Sequence, residues 1–479
     1  MPMDTYSAVV TTGIYCRPGC TARPNPGNVV RYEVAAAAEA SGFRACLRCR
    51  PYRRQQPLSW DGPELVCRAV QLILDGALED QTEDGLASRL GMSARNLRRL
   101  FNQHLGVTPA QLARSSRAHF ARRLLDDTDL SVTEIAFAAG FGSVRQFNRA
   151  AREIFRAAPR ELRARRRKAD RLVADGGLAL RLPYNGPVDW DHTLSYLAAR
   201  AIPGVESVAG RAYRRTVLID GDPGVIELID GDPDSGVAAG DHLVLRAHLP
   251  HWEGLIHLVE RARRIAALDA PTPEANAALA ADPLIGPLVA ARPGIRQPGA
   301  WDPFEVGVRI ILGQQVSVAG ASTTAGRLVQ ALGTPVPGLA PFGLTHTFPT
   351  AETLAAADLS NLGLTRSRAA AVQTFARAVA EGGLHLDNSQ PLDDFIASVT
   401  ALPGLGPWTA HVLALRLAER DAFPASDLGL RRAYQRLTPD APEPLEAAAE
   451  RWRPWRAHAA VHLWASHQPD QSGAHEARR

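Results

Sequence analysis

Apolar residues recur at helical spacing along most of this chain, and one middle stretch breaks the rule. Residues 63–168 read as helical throughout, and helical patterns dominate again from Trp252 onward. Between them the texture changes to short apolar runs broken by Gly-Asp-Pro. The runs Leu178–Leu182, Arg215–Asp220, Gly224–Ile229 and His242–Ala247 predict strands of an antiparallel sheet, with Thr193–Ala201 as a helix.

Two similar units stand out in the first helical region. Glu83–Phe101 reads as a helix, a turn at Gly91 and a second helix capped by Ser93; Ser131–Arg149 repeats the plan with its turn at Gly140–Gly142 and its cap at Ser143. Both are helix-turn-helix patterns, and the pair resembles the AraC-type DNA-binding domain. Arg95, Asn96 and Arg99, with Arg145, Gln146 and Arg149, fall early on the second helices, where side chains reach a major groove. A basic run from Arg152 to Lys168 follows, which reads either as a solvated helical face or, beside two such units, as phosphate contact.

Far downstream, Leu392–Val399 and Trp408–Leu417 are helical in pattern and are joined by Leu402-Pro-Gly-Leu-Gly-Pro407. Gly404 and Gly406 allow positive φ, and Pro407 suits the first turn of a helix. Such a turn lets a phosphate approach the backbone closely. Asp427 follows in a run otherwise short of charge. Hairpin plus late aspartate resembles the helix-hairpin-helix glycosylase superfamily of base-excision repair. Trp408, the Arg453–Arg456 run, His462-Leu-Trp464 and Phe304–Val318 narrow the likeness to the 3-methyladenine DNA glycosylase II (AlkA) family.

That resemblance implies that Asp427 stabilises the positive charge on the sugar as the glycosidic bond breaks, an effect worth several kcal/mol in a dry site. It implies a base pocket of Trp408, Trp464 and Tyr196, in which an extruded alkylpurine stacks between rings. Bifunctional relatives use a lysine beside the hairpin, but here Trp408 stands there and Lys168 is the single lysine of the chain. A Schiff base needs an amine, so the expected enzyme is monofunctional. The chain departs from the family pattern twice: Val412 replaces an aromatic, and Gln315 stands where a leucine wedge would enter the duplex.

The first fifty residues hold Cys16, Cys20, Cys46 and Cys49 as Cys-x3-Cys and Cys-x2-Cys, a spacing that wraps one tetrahedral Zn²⁺. Thr11–Cys20 and Gly42–Cys49 resemble the N-terminal domain of the adaptive-response (Ada) regulators. In that family the first cysteine of the set, here Cys16, accepts a methyl group from a DNA methylphosphotriester. Methylation removes one thiolate charge, which at about 7 Å from a phosphate relieves roughly 0.6 to 1.2 kcal/mol per phosphate. Damage would thus raise DNA affinity and activate transcription. Cys67 reads as core, and no cysteine follows it, so an iron–sulfur cluster is not expected. Pro-Cys-His-Arg, the active-site motif of O6-alkylguanine methyltransferases, does not occur.

Length and charge set the frame. With 479 residues the chain holds several domains, and its net charge of +4 is carried almost wholly by arginine, which suits bidentate phosphate contact. The expected division is 1–56 (zinc and methyl acceptor), 63–168 (double helix-turn-helix), 178–290 (small α+β), 291–467 (helix-hairpin-helix glycosylase) and 468–479 (polar tail). The fold class is therefore multidomain and mainly α. Expected partners are alkylated and promoter double-stranded DNA, with RNA polymerase as a further one; no membrane partner is expected, and the location is cytoplasmic and nucleoid-associated. Two other readings use the same residues. One is a methylation-sensing regulator whose C-terminal half binds DNA without excision, the other a glycosylase merely recruited by its front domains.

Overall fold

The computed structural model describes residues 5–53, 63–167, 170–172, 176–231, 240–387, 389–439 and 443–467. Arg54, Lys168 and the 468–479 tail lie outside them. Contacts divide the chain into two compact units, Met1–Asn185 with Leu218–Arg263, and Gly186–Val217 with Arg264–Arg479. Among the described residues no helix is long and apolar enough to cross a membrane.

The first unit begins with a small sheet that no periodicity announces, because its strands are only two to four residues long. Strands β1 (Tyr6–Val9), β2 (Ile14–Cys16), β3 (Val29–Tyr32) and β4 (Arg44–Ala45) lie in the order β3-β1-β2-β4. The β2/β4 pair is parallel and the others antiparallel. The helix Ala35–Ala40 covers the sheet with Ala36, Ala37 and Ala38.

Helices Glu83–Arg89 and Ala94–Leu105, then Val132–Ala138 and Val144–Phe155, form the two predicted helix-turn-helix pairs. Ser93 and Ser143 cap their second helices by accepting from the backbone of Asn96 and Gln146. Between the pairs runs Pro109–Asp127, opened by a Thr108/Gln111 capping box with proline in its first turn. Leu86, Leu97, Phe101, Leu124, Leu125, Ile135 and Phe147 are buried, the positions that the 3.6-residue period marks.

Five further strands follow: β5 (Leu178–Pro183), β6 (Glu206–Ala209), β7 (Ala212–Ile219), β8 (Asp222–Asp230) and β9 (His242–His248). Each of the four predicted runs lies within one of them to a residue or so. In the first unit β9 is flanked by β5 and β8, both antiparallel.

In the second unit the β6/β7 hairpin sets Glu206 opposite Arg215. Buried ion pairs tie it to the helix Pro303–Leu312: Arg215 to Glu305 at 2.6 Å and Arg309 to Glu206 at 2.9 Å. Val318–Leu332, Arg366–Ala380 and Pro407–Arg416 pack against that helix, while Leu392–Thr400 lies against Pro407–Arg416, and Leu428–Leu437 against Arg456–His467. A Cβ on Gly307 would lie 2.2 Å from Phe375 Cζ, so only glycine admits that ring, which stacks on Phe304 at 5.7 Å. The architecture is the expected one, several domains and mainly helical with a small α+β sheet, to which the structure adds the unforeseen sheet β3-β1-β2-β4.

Candidate active site and metal centre

Leu392–Thr400 and Pro407–Arg416 flank the hairpin as the pattern predicts. Its two glycines do different work. Gly404 sits at φ 86° with Ala371 packed where its Cβ would project, whereas Gly406 is extended at φ −101°. Nothing stands within 4 Å of a Cβ at Gly406, so bare backbone faces open space at the start of a helix that no side chain caps. That is the surface a phosphate needs.

Asp427 ends the segment after that helix and opens the next, Leu428–Leu437, where its Oδ1 accepts the backbone N–H of Leu430 at 3.0 Å. Capping is only part of its bonding. Oδ1 also accepts the Trp464 indole N–H at 2.9 Å, and Oδ2 accepts that of Trp408 at 3.0 Å. The structure thus joins three predicted site residues in one constellation, and it gives the two tryptophans a task that ring stacking does not describe: their edges fix the carboxylate. All three side chains are half-buried, so the group borders solvent rather than lying in the core.

Gln315 takes a left-handed backbone, φ 57°, and is exposed between the helices Pro303–Leu312 and Val318–Leu332. Its neighbour Gln314, which sequence reasoning passed over, donates to Gly404 O at 3.3 Å and to Thr409 Oγ1 at 3.0 Å. The Gln315 segment and the Leu402–Pro407 turn are thereby braced together. Val316 and Val318 beside it are also exposed, which supplies apolar surface that Gln315 lacks.

Tyr196 lies on Trp190–Arg200 and is half-buried, but its ring is already occupied on one side. The Arg200 guanidinium sits 3.9 Å from the ring centroid, and Arg416 donates to the phenol oxygen at 2.9 Å. Burial pushes the phenol up, yet the Arg416 and Arg200 charges and the Gln297 hydrogen bond outweigh it and bring it down to about 8. Arg416 was missed in the sequence. The available signal was its spacing, since Trp408, Val412 and Arg416 stand four residues apart on one helix face.

In the first unit the four predicted cysteines converge. Cys16 ends β2 and Cys46 follows β4, and because these strands are parallel neighbours both chains leave the sheet at the same end. The turns beyond carry Cys20 and Cys49, and the four Sγ atoms lie within 4.8 Å of one another. A tetrahedral zinc with sulfur ligands at about 2.3 Å requires sulfur–sulfur edges of about 3.8 Å, so the set fits. The thiols hydrogen-bond one another: Cys49, receiving the Cys16 bond, falls to about 5, while the same bond and burial push Cys16 up. Such a cluster is one that a cation would satisfy.

The residue next to Cys16 was not singled out by sequence. The Tyr15 hydroxyl donates to Glu39 Oε1 at 2.6 Å, and Glu39 also binds His119 Nε2 and Ser115 Oγ, each at 2.6 Å, from the long helix Pro109–Asp127. The metal cluster is thereby fastened to the helix-turn-helix core. Arg95, Arg99, Arg145, Gln146 and Arg149 are exposed on their second helices, whereas Asn96 is half-buried and accepts from Arg99 at 2.9 Å. The basic run is mixed. Arg156, Arg163 and Arg166 are tied to the carbonyls of Gly42, Leu130 and Thr128, while Arg152, Arg160, Arg165 and Arg167 are exposed.

Comparison with known proteins divides the chain among four families. Residues 4–52 match the metal binding domain of Ada, 86–165 a helix-turn-helix domain, 179–302 the AlkA N-terminal domain and 308–457 the HhH-GPD superfamily of base excision DNA repair proteins. A Mycobacterium tuberculosis protein named "Probable bifunctional transcriptional activator/DNA repair enzyme AlkA" is 41% identical over 463 residues, covering 95% of this chain and 92% of its own. Escherichia coli DNA-3-methyladenine glycosylase 2 is 36% identical over 298 residues, 61% of this chain and 99% of its own. Among solved structures, the 3-methyladenine DNA-glycosylase of Archaeoglobus fulgidus shares the fold over 60% of this chain and 98% of its own, with a TM-score of 0.50 and 20% identity.

Proposed function

The chain belongs to the family of bifunctional transcriptional activator/DNA repair enzymes of the AlkA type, and from that membership we propose how its residues divide the work. Its C-terminal part is a DNA-3-methyladenine glycosylase, and its N-terminal part is a zinc-binding, helix-turn-helix activator that accepts methyl groups from DNA. DNA is the partner of both.

Asp427 is the residue that stabilises the sugar cation in this reading. The observation that carries it is the triple hydrogen bond from Trp408, Trp464 and Leu430, which holds a carboxylate at a solvent border next to the phosphate-binding turn. Preorganised charge of this kind needs no rearrangement as the glycosidic bond breaks. Gly404 and Gly406 hold the backbone of one strand, Gln315 with exposed Val316 fills the gap left by the flipped base, and Trp408, Trp464 and Tyr196 border that base. With Trp408 in the position of the amine, water completes the hydrolysis and an intact abasic site is left.

Cys16, Cys20, Cys46 and Cys49 hold zinc, which when bound keeps thiols ionised at neutral pH. Cys16 sulfur takes the methyl carbon and the phosphate returns to a diester anion. Cys16 is only 7% exposed, so the triester must approach its sulfur closely for the methyl group to transfer. Arg95, Asn96, Arg99, Arg145, Gln146 and Arg149 then read the promoter. RNA polymerase contact, residence on cytoplasmic nucleoid DNA and the five-part division at 56, 63, 168, 178, 290 and 467 complete the reading.

The deciding experiment is excision from a duplex bearing one methylated purine, with abasic sites revealed by alkali, for wild type and Asp427→Asn. Release by wild type alone supports the assignment. Failure of both on a panel of alkylated duplexes leaves a methylation-sensing regulator that binds DNA without excision.

A further inference from the structure

Three separate ties bind the cysteine-bearing sheet to the helix-turn-helix domain. The Glu39 carboxylate, with its side chain 4% exposed, stands between the two: Tyr15 donates to it from β2, and His119 and Ser115 donate from Pro109–Asp127, each bond at 2.6 Å. Tyr52 and Arg53 form the second tie, bonding Asp126 at 3.2 and 3.1 Å. The third is Arg156, which ends the helix Val144–Phe155 and donates to Gly42 O at 3.1 Å. The last residue of that helix, Phe155, lies with its ring centroid 5.9 Å from both His119 and Tyr52, so the first two ties also grip it. A carboxylate surrounded by aimed donors from both sides admits one arrangement of the two parts. The sheet is not free to turn on the helices.

What the ties carry is an anion. β4 packs against Val144–Phe155, and Cys46 follows β4 directly. The four-sulfur cluster is therefore held beside a helix about 18 Å long whose first turns carry Arg145, Gln146 and Arg149. Four thiolates outweigh the charge of one zinc ion, so the cluster is anionic before methylation and less so after it. An anion on a loose tether swings away from phosphates. One bolted to a recognition helix cannot, and seating that helix in a groove brings the anion to the DNA with it.

We propose that the Glu39 clasp makes the sulfur cluster a brake on the helix-turn-helix domain: the ties hold the anion against DNA whenever Val144–Phe155 is seated, and methylation of Cys16 eases that repulsion. Dependence on damage thus resides in the clasp as much as in the cluster. The inference rests on the methyl-acceptor reading. Its sign is distinctive, because loosening the clasp strengthens DNA binding by the unmethylated chain, whereas loss of a merely structural contact weakens both forms.

The test is equilibrium binding of the full chain, unmethylated and methylated at Cys16, to a duplex selected from a random pool by the methylated chain. Ser115→Ala with His119→Ala removes two of the donors to Glu39 from the helical side and leaves every residue around the cysteines in place. Unmethylated affinity should rise about 10-fold while methylated affinity stays, so the ratio between the two forms shrinks by the same factor. Ser115→Ala alone, the milder change, should move the ratio the same way by about 3-fold. Zinc content and methyl uptake, measured alongside, should match wild type; if the double variant loses zinc, Ser115→Ala decides. An unchanged ratio, or a fall of both affinities together, overturns the proposal. Wild type that takes up no methyl group, or that binds equally in both forms, would instead remove the methyl-sensing reading and the brake with it.

Discussion

The two proposed reactive centres of this chain are held in opposite ways. At Asp427 every partner is already in place, two indole N–H groups and one backbone N–H around a single carboxylate. At Cys16 the partners are three more thiols, which share hydrogen bonds but leave the cluster short of a positive charge. The first centre is assembled by tertiary packing alone, and the second is completed by an ion. Local spacing announces the second and not the first: Cys-x3-Cys and Cys-x2-Cys are visible in fifty residues, whereas Trp408 and Trp464 are 19 and 37 residues from the aspartate they hold.

Chelation should separate the two centres most sharply. Stripping zinc from the full chain is expected to abolish methyl uptake from methylated DNA, because structural zinc sites contribute folding energy outright. Excision should persist, since no cysteine stands among the glycosylase residues. Transfer of a labelled methyl group and base release, measured on the same sample, check both halves. Loss of excision on chelation would break the contrast.

Asp427→Asn makes the converse cut. It keeps the helix cap and the side-chain shape but removes the charge, so base release should fall about 100- to 1000-fold, roughly 3 to 4 kcal/mol of barrier. Zinc content and methyl uptake should not move. Trp464→Phe goes one step finer, since it retains a ring for the base and deletes one N–H to Oδ1. A loss of about 10-fold is expected, near 1.4 kcal/mol. A stacking role alone would leave the rate nearly unchanged, so the size of this loss tells whether the indole acts by its edge or by its face.

What could be read from the residues follows the same division. The hairpin and its turn residues were legible because Leu402–Pro407 is contiguous and its glycine and proline constraints are local, whereas Asp427 was named only through a family resemblance. Helix-turn-helix pairs were legible through Ser93 and Ser143, caps two and three residues after the turn glycines Gly91 and Gly140. Glu39 was not. It is an unremarkable residue in an alanine helix, and its partners Ser115 and His119 lie 76 and 80 residues away. Tyr196 was named as a ring and Arg416 not at all, because the contact between them spans 220 residues. A phenol shows its stacking face in any aromatic count, but which donors surround its oxygen is decided only by packing.

A smaller effect should distinguish the units by acidity. His462, two residues before Trp464, is 2% exposed. Burial, with the Arg292 and His192 charges, lowers it to about 4. In the unfolded chain a histidine titrates near 6.5, so between about 6.5 and 4 the unfolded state binds the extra proton and folding loses free energy as pH falls. Above 6.5 the contribution is constant. One pH unit below, at about 5.5, His462 alone costs about 1.4 kcal/mol. Of the eight tryptophans, residues 190, 301, 408, 452, 455 and 464 belong to the second unit, so indole fluorescence follows mainly that unit. Thermal melts read this way should shift down by a few degrees between pH 7.5 and 5.5. In His462→Gln the shift should shrink, whatever that substitution does to the melting temperature at pH 7.5. An undiminished shift would place the acid sensitivity elsewhere and remove buried histidine from the account of how the Trp464 helix is held.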